Sequence, residues 1–294
     1  MRISHFSFFL MTRVEIRIIN VLINLDVSLV SKYGLKQVVS INFFPEDDLK
    51  ALFNFFPNDS KIALLFPENY YGYNINKIID PIASKSKSLI INRASYKEDL
   101  TNARESIKEL GKYELRKYEL ERQKKILKLK NDNISIKALK KIQKFETTGN
   151  VDFTHLILPD YSIRLLEIAP LLPFYDVDPN KVQFVGTGVW DDKAFFDEPS
   201  LQGAIFSGIE EIKRKDFFYD YEYIYKERPI RTATIPYDLM GIISYIVDQK
   251  MTLQAAYKLL DNYLSDHPSR PLRGILITTI TIKVYRNTSC CFVA

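Results

Sequence analysis

The chain has little cysteine and histidine, and their scarcity excludes several classes of site. Its 2 cysteines are the neighbours Cys290 and Cys291, which cannot build a disulfide framework and lack metal-ligand spacing. Its 3 histidines are His5, His155 and His267, and no nucleophile, base and acid can be assembled around them. His155 lies inside an apolar run, which favours a histidine of the core or of a strand edge. We therefore predict a protein that is not an enzyme, with no catalytic residue, metal or cofactor.

Glycine-rich loops and long apolar runs are also missing. The chain has 10 glycines, and Gly186-Thr187-Gly188 is too short for the G-x-G-x-x-G fingerprint of a dinucleotide site. No stretch approaches the roughly 20 apolar residues that a membrane span needs. Residues 1–30 are apolar but lack a small-residue cleavage site, so they form no convincing signal peptide.

What the chain does have is an alternation of short apolar runs with helical segments. The runs predict strands near 38–43, 61–66, 88–92, 154–158, 182–187 and 203–206, with further strands over 14–25 and 274–285. Parallel strands that are buried on both faces read as continuous apolar runs, as these do. The pattern therefore predicts βαβ units and an α/β fold built on Rossmann-like parallel sheets.

One segment carries the basic charge of the whole chain. Residues 97–144 contain 15 Lys and Arg against 8 Asp and Glu, a net charge of +7, whereas the chain as a whole has +5. Acidic residues interleave the basic ones as far as Gln123, and no base-stacking aromatics or glycine-rich loops accompany them. We predict a solvated helical excursion over 97–145, with helices at 97–131 and 134–145, and no nucleic-acid site.

Two other clusters have plain structural interpretations. The aromatic stretch 217–225 has helical spacing, which predicts packing in a core. Asp191 and Asp192 could be paired acids or metal ligands, but their setting after Gly188 favours a helix N-terminal turn.

Aromatic and polar residues follow several of the predicted strands. In open α/β sheets ligands bind outside the carboxyl ends of the strands. The candidate ligand-binding residues at these ends are Tyr70, Tyr71, Tyr161, Thr187, Trp190 and Asp191. We expect Trp190 at the mouth of the site, near Tyr161 and Tyr71, where an aromatic wall with one carboxylate suits a small amphiphilic ligand that carries an amine. The alternative is that Trp190 and Tyr161 pack between two lobes.

Three segments carry a resemblance to a known family. They are LLPFYDVDPNKVQFVGTGVWDD at 171–192, EPSLQGAIFSG at 198–208 and PYDLMG at 236–241. Residues 36–265 resemble the type I periplasmic binding proteins, in the leucine/isoleucine/valine-binding branch. More narrowly they resemble the bacterial penicillin-binding-protein activators.

The resemblance implies two α/β lobes with a ligand cleft between them. On that map 1–43 is a remnant of lobe one, 44–207 is lobe two, 208–273 returns to lobe one and 274–294 is an atypical tail. The opening strand-helix units of lobe one, with their ligand-facing loops, are absent from this sequence. We therefore expect a first lobe that is N-terminally incomplete.

The resemblance also implies a function. We expect a solute-binding chain of the ABC-transporter type in the periplasm or cell envelope, which takes an amino-acid-like small ligand between two lobes. The membrane component of an ABC transporter is then a further expected partner. The alternative is a non-catalytic activator of a penicillin-binding protein in peptidoglycan synthesis, which contacts that cell-wall synthase without binding a small ligand.

Overall fold

The computed structural model describes residues 7–12, 15–20, 43–130, 132–209, 211–252, 255, 280–286 and 289–292. The strands are β1 Ser7–Thr12, β2 Glu15–Asn20, β3 Lys61–Pro67, β4 Leu89–Tyr96, β5 His155–Ile157, β6 Gln183–Gly186, β7 Ile205–Ile209, β8 Ile280–Arg286 and β9 Ser289–Phe292. The helices are α1 Pro45–Phe55, α2 Tyr70–Lys85, α3 Ala103–Leu110, α4 Tyr113–Lys130, α5 Asn133–Ile142, α6 Ser162–Ile168, α7 Leu171–Phe174, α8 Glu211–Tyr225 and α9 Thr234–Asp248.

The chain forms two compact units. The first unit is Met1–Phe44 with Ile209–Thr279, and the second is Pro45–Gly208 with Ile280–Ala294. The first unit contains the antiparallel hairpin β1–β2 and the helices α8 and α9. Within the described residues, no helix is both long and apolar enough to cross a membrane.

The second unit is built on a parallel sheet, which confirms the predicted fold class. The strand order is β4-β3-β5-β6-β7, followed by β8 and β9. Each neighbouring pair from β4 to β7 is parallel, including β5 with β6, while β8 and β9 are antiparallel to each other. Because these strands are parallel, their carboxyl ends all lie at one edge of the sheet.

Both faces of this sheet are buried, as the continuous apolar runs predict. Phe184 of β6 packs in a cluster on one face with Leu156 and Phe206. Its neighbour Val185 packs on the other face with Ile157. Successive side chains of a strand point to opposite faces, so a strand covered on both sides needs apolar residues at every position.

Several helices and strands differ from the sequence-based predictions. The single helix over 97–131 is two helices, α3 and α4, separated at Gly111 and Lys112, where Lys112 has a φ of 50°. The left-handed conformation at Lys112 ends the helix and redirects the chain. The predicted strand 38–43 lies outside the described residues except for Phe43, which is not in a strand.

The prediction that the aromatic stretch 217–225 packs in a core is wrong for most of its members. Helix α8 buries Phe218 under the guanidinium of Arg214, 4.9 Å from the ring centroid. By contrast, Tyr219, Tyr223 and Tyr225 are exposed. A surface helix buries only one stripe of its circumference, and consecutive aromatic residues cannot all share that stripe.

Candidate functional site

The N-terminus of α2 places two of the candidate tyrosines directly after β3. Asn69 caps this helix, since its side-chain oxygen accepts a hydrogen bond from the Gly72 amide at 2.9 Å. A Cβ at Gly72 would lie 2.1 Å from the Pro67 carbonyl oxygen, so only glycine allows the helix to begin this close to the strand. Tyr70 and Tyr71 consequently stand in the first turn of α2, at the carboxyl edge of the sheet.

Three candidate residues from three neighbouring strand ends meet at this edge. The hydroxyls of Tyr71 and Thr187 are 2.7 Å apart, within hydrogen-bond distance. The rings of Tyr71 and Tyr161 stand edge to face, with centroids 6.4 Å apart. Tyr161 remains 44% exposed and the adjacent Tyr70 is 76% exposed, whereas Thr187 is buried. The structure therefore brings Tyr71, Tyr161 and Thr187 into contact and leaves two phenol rings accessible to a ligand.

A buried carboxylate, that of Asp160, connects several residues at the carboxyl edge of the sheet by hydrogen bonds. Asp160 Oδ2 accepts a hydrogen bond from the Tyr96 hydroxyl at 2.6 Å, and Oδ1 accepts from the Tyr161 amide at 2.8 Å. Arg164 Nη2 also donates to Oδ1, at 3.0 Å. Burial raises the pKa of Tyr96 and the neighbouring Asp160 raises it further, so Tyr96 is a neutral donor at physiological pH. The hydrogen bond to Asp160 is the main cause of the raised pKa of Arg164.

Charged residues from two further positions line the same edge. Glu98 Oε1 accepts a hydrogen bond from Asn69 Nδ2 at 3.0 Å and lies 3.5 Å from Arg164 Nη1. The Arg164 guanidinium carbon stands 5.3 Å from the centroid of the Tyr161 ring. None of these three polar side chains is among the candidates chosen from sequence. The spacing of Asp160 and Arg164, four residues apart at the start of a helix, is the signal that could have identified this pair.

The prediction that Trp190 lies at the mouth of the site is wrong. Its indole is fully buried in the core of the second unit, and Nε1 donates a hydrogen bond to the Asp160 carbonyl oxygen at 3.1 Å. A Cβ at Gly186 would lie 1.9 Å from the indole, so the ring packs directly on the glycine at the end of β6. The 3-10 turn Gly188–Trp190 folds the chain back over the strand, which carries the tryptophan inward.

Asp191 and Asp192 play separate parts in the turns that follow β6. Asp192 caps the turn Lys193–Phe195 by accepting a hydrogen bond from the Ala194 amide at 3.0 Å, in agreement with the N-terminal interpretation. Asp191 is half-buried at the end of the turn that contains Trp190. In the part of the chain that the structure describes, no group of three or more His, Cys, Asp or Glu could hold a metal ion.

His155 occupies a structural position, as its apolar surroundings suggest. It begins β5, its ring centroid is 4.5 Å from that of Phe56, and Nδ1 lies 2.8 Å from the Thr154 hydroxyl. Burial lowers the pKa of His155 below that of a free histidine. This histidine is at the amino end of its strand, away from the edge where the candidate site lies.

The comparisons with known proteins identify the fold. No protein-family model and no curated protein matches the chain. Among solved structures, a putative branched-chain amino acid ABC transporter from Rhodospirillum rubrum is similar, with 12% identity, a TM-score of 0.55 and coverage of 86% of this chain and 67% of that one. The ABC transporter substrate-binding protein from Desulfitobacterium hafniense in complex with Leu has 10% identity and a TM-score of 0.51, covering 90% of this chain and 70% of that one.

The chain thus has the fold of type I periplasmic binding proteins, as the resemblance implies. These two similar structures are of transport proteins rather than enzymes. Full-length LpoA from Haemophilus influenzae is also similar, with 12% identity over 88% of this chain and 41% of that one. The TM-score of this match is 0.47.

Proposed function

We propose that the chain is a non-catalytic solute-binding protein of the cell envelope, which takes an amino-acid-like ligand at the carboxyl edge of its second unit. The observation that carries the proposal is the contact of Tyr71 with both Thr187 and Tyr161. This contact joins the ends of three adjacent parallel strands, where ligands bind in open α/β sheets. The Leu complex of the similar D. hafniense protein supports the ligand class.

The side chains at this edge suit the two chemical parts of an amino acid. The exposed rings of Tyr70 and Tyr161 offer apolar surface to an aliphatic side chain. The carboxylates of Asp191 and Glu98 are the candidates for pairing with the ligand's amine. A few placed polar groups beside an aromatic wall are typical of small-molecule sites.

Trp190 supports this site from inside the unit. Its hydrogen bond to the Asp160 carbonyl oxygen fixes the backbone that leads into Tyr161. The carboxylate of Asp160 fixes the Tyr161 amide from the other side. Side chains that hold a binding residue in one conformation reduce the entropy that the ligand would otherwise have to overcome.

A thermal-shift screen of amino acids tests the proposal. Ligand that binds the native state alone raises the melting temperature, and we expect L-leucine to do so in a concentration-dependent manner. The variants Tyr161→Ala and Asp191→Asn should reduce this shift. Tyr118→Ala, which removes an exposed tyrosine from α4, should leave it unchanged.

Two results would contradict the proposal. The first is a folded chain whose melting temperature no amino acid alters. The second is a shift that persists undiminished in both site variants. The first result, combined with binding to a cell-wall synthase, would favour the alternative of an activator that acts by protein contact.

A further inference from the structure

Helices α4 and α5 form a hairpin, and the buried residues of α4 lie in its first half. Tyr113, Arg116 and Leu120 of α4 are buried. Arg116 is fixed by hydrogen bonds to carbonyl oxygens, among them those of Gly111 at 2.7 Å and Tyr175 at 3.0 Å. From residue 121 to the end of α4 no described side chain is buried. The far part of the hairpin, from residue 121 of α4 onward, therefore presents α4 side chains that do not pack in the core of the second unit.

The basic charge is concentrated in this far part. Residues 97–122 contain 7 basic and 7 acidic residues, whereas 123–145 contain 8 lysines and a single acid, Asp132. The Asp132 carboxylate caps α5, accepting hydrogen bonds from the amides of Ile134 at 2.9 Å and Ser135 at 2.8 Å. Those helix contacts lower the pKa of Asp132, mainly through the Ser135 amide, and keep it ionised at its capping position. Seven of the 8 lysines are exposed.

Apolar side chains accompany the lysines on the exposed surface. In α4 the exposed Leu115, Tyr118, Ile126 and Leu129 recur at spacings that place them on one side of the helix. At the far end of the hairpin Leu129 is 85% exposed and Ile134, in the first turn of α5, is 81% exposed. The nearest basic residues to Leu129 in sequence are Lys128 and Lys130, which are both exposed.

We propose that the hairpin tip, Lys125–Lys130 with Asp132–Ile134, docks on an anionic lipid surface. Lysines on a helix are attracted to acidic headgroups, and apolar residues between them enter the boundary between headgroups and acyl chains. A nucleic acid would neutralise the lysines but leave Leu129 and Ile134 in water. An anionic bilayer complements both the charge and the apolar tip.

Vesicle sedimentation of the full chain tests this docking. We expect binding to vesicles of two parts phosphatidylcholine to one part phosphatidylglycerol, and none to phosphatidylcholine alone. The triple variant Lys125→Gln, Lys128→Gln, Lys130→Gln should bind the mixed vesicles about a hundredfold more weakly, from roughly a tenfold effect for every one to two lysines removed.

A charge-matched control separates docking from net charge. The triple variant Lys77→Gln, Lys85→Gln, Lys193→Gln removes the same charge from exposed positions elsewhere in the second unit. It should retain most of the vesicle binding. Equal loss in the control and test variants, or equal binding to both kinds of vesicle, would overturn the proposal, as would failure of the folded chain to bind the mixed vesicles.

A second pair of variants tests the apolar part. Leu129→Ser with Ile134→Ser keeps every charge, and both positions are too exposed for the fold to depend on them. This variant should bind the mixed vesicles more weakly and lose its remaining binding as salt is raised. The matched control, Ile163→Ser with Phe174→Ser, alters two exposed apolar residues elsewhere and should bind as wild type does. Vesicle binding at the wild-type level by the tip variant would contradict lipid docking. So would release of the wild-type chain from the mixed vesicles by duplex DNA that binds it more tightly.

Discussion

At the scale of single residues, Gly186 and Trp190 show why a short motif can be misinterpreted. Gly186 follows an apolar run and precedes a tryptophan, which is also what a ligand-facing loop would look like. The indole instead packs on the glycine, with its N–H satisfied by the Asp160 carbonyl oxygen. Sequence could place Trp190 after β6 but could not determine the direction of its side chain, because that depends on a turn of three residues.

This packing predicts a specific coupling between the two residues. Gly186→Ala should destabilise the protein by about 1–3 kcal/mol or more, since the new methyl group overlaps the indole and the core must shift. Trp190→Leu should also be destabilising, because it leaves a cavity and an unpaired carbonyl oxygen. Urea unfolding of the single and double variants measures the effect. The double variant should lose less unfolding free energy than the two single variants lose together, because the smaller leucine leaves room for the new methyl group. Additive losses would show that the two positions are not coupled.

A second prediction at this scale concerns pH and His155. Burial lowers its pKa in the folded state, so the unfolded chain binds the proton more readily. Stability should therefore fall as pH drops below about 6.5, the ordinary histidine pKa, down to the folded-state pKa. His155→Gln should flatten the dependence of the unfolding free energy on pH in that window. An unchanged slope in the variant would show that other groups cause the acid sensitivity.

At the scale of elements, the parallel strands were the most predictable part. Their runs are apolar at every position because both faces of the sheet are covered, and that signal is local to each strand. The break between α3 and α4 was not predictable from periodicity, since charged pairs continue across Gly111 and Lys112. The exposed aromatic residues of α8 also escaped prediction, because helical spacing does not reveal which side of a helix has a partner.

Arg116 gives the prediction that belongs to this scale. Its guanidinium donates hydrogen bonds to the carbonyl oxygens of Tyr175 and Asp176, which follow α7, and so joins α4 to that segment. It also donates to the carbonyl oxygen of Gly111, directly before α4. Arg116→Met should destabilise the protein by about 3 kcal/mol, because it leaves buried carbonyl oxygens unpaired. Arg116→Lys should not restore stability, since an ammonium group cannot reach the same fork of acceptors. Chemical unfolding measures both, and a fully stable lysine variant would contradict a role for the fork geometry.

At the scale of the whole molecule, sequence predicted the α/β class and the resemblance predicted the particular fold. The identity to the similar structures is only 10–12%, so over the whole chain the likeness lies in the order of strands and helices more than in shared residues. The candidate site was partly predictable, because strand ends can be counted along the chain. Asn69 and Glu98 were missed because their contacts join positions that are distant in sequence.

The ligand site is the central claim, and amide hydrogen exchange with and without L-leucine tests it most directly. Ligand binding at the carboxyl edge should slow exchange at residues 69–72, 160–162 and 187–191. The exposed far part of α4, residues 121–130, opens locally and serves as the internal reference that should exchange equally in both samples. Protection that is greatest at the strand-end segments, and reduced in Tyr161→Ala, is the expected result. No protection at any concentration of leucine, or protection of other segments with none at the strand ends, would contradict the claim.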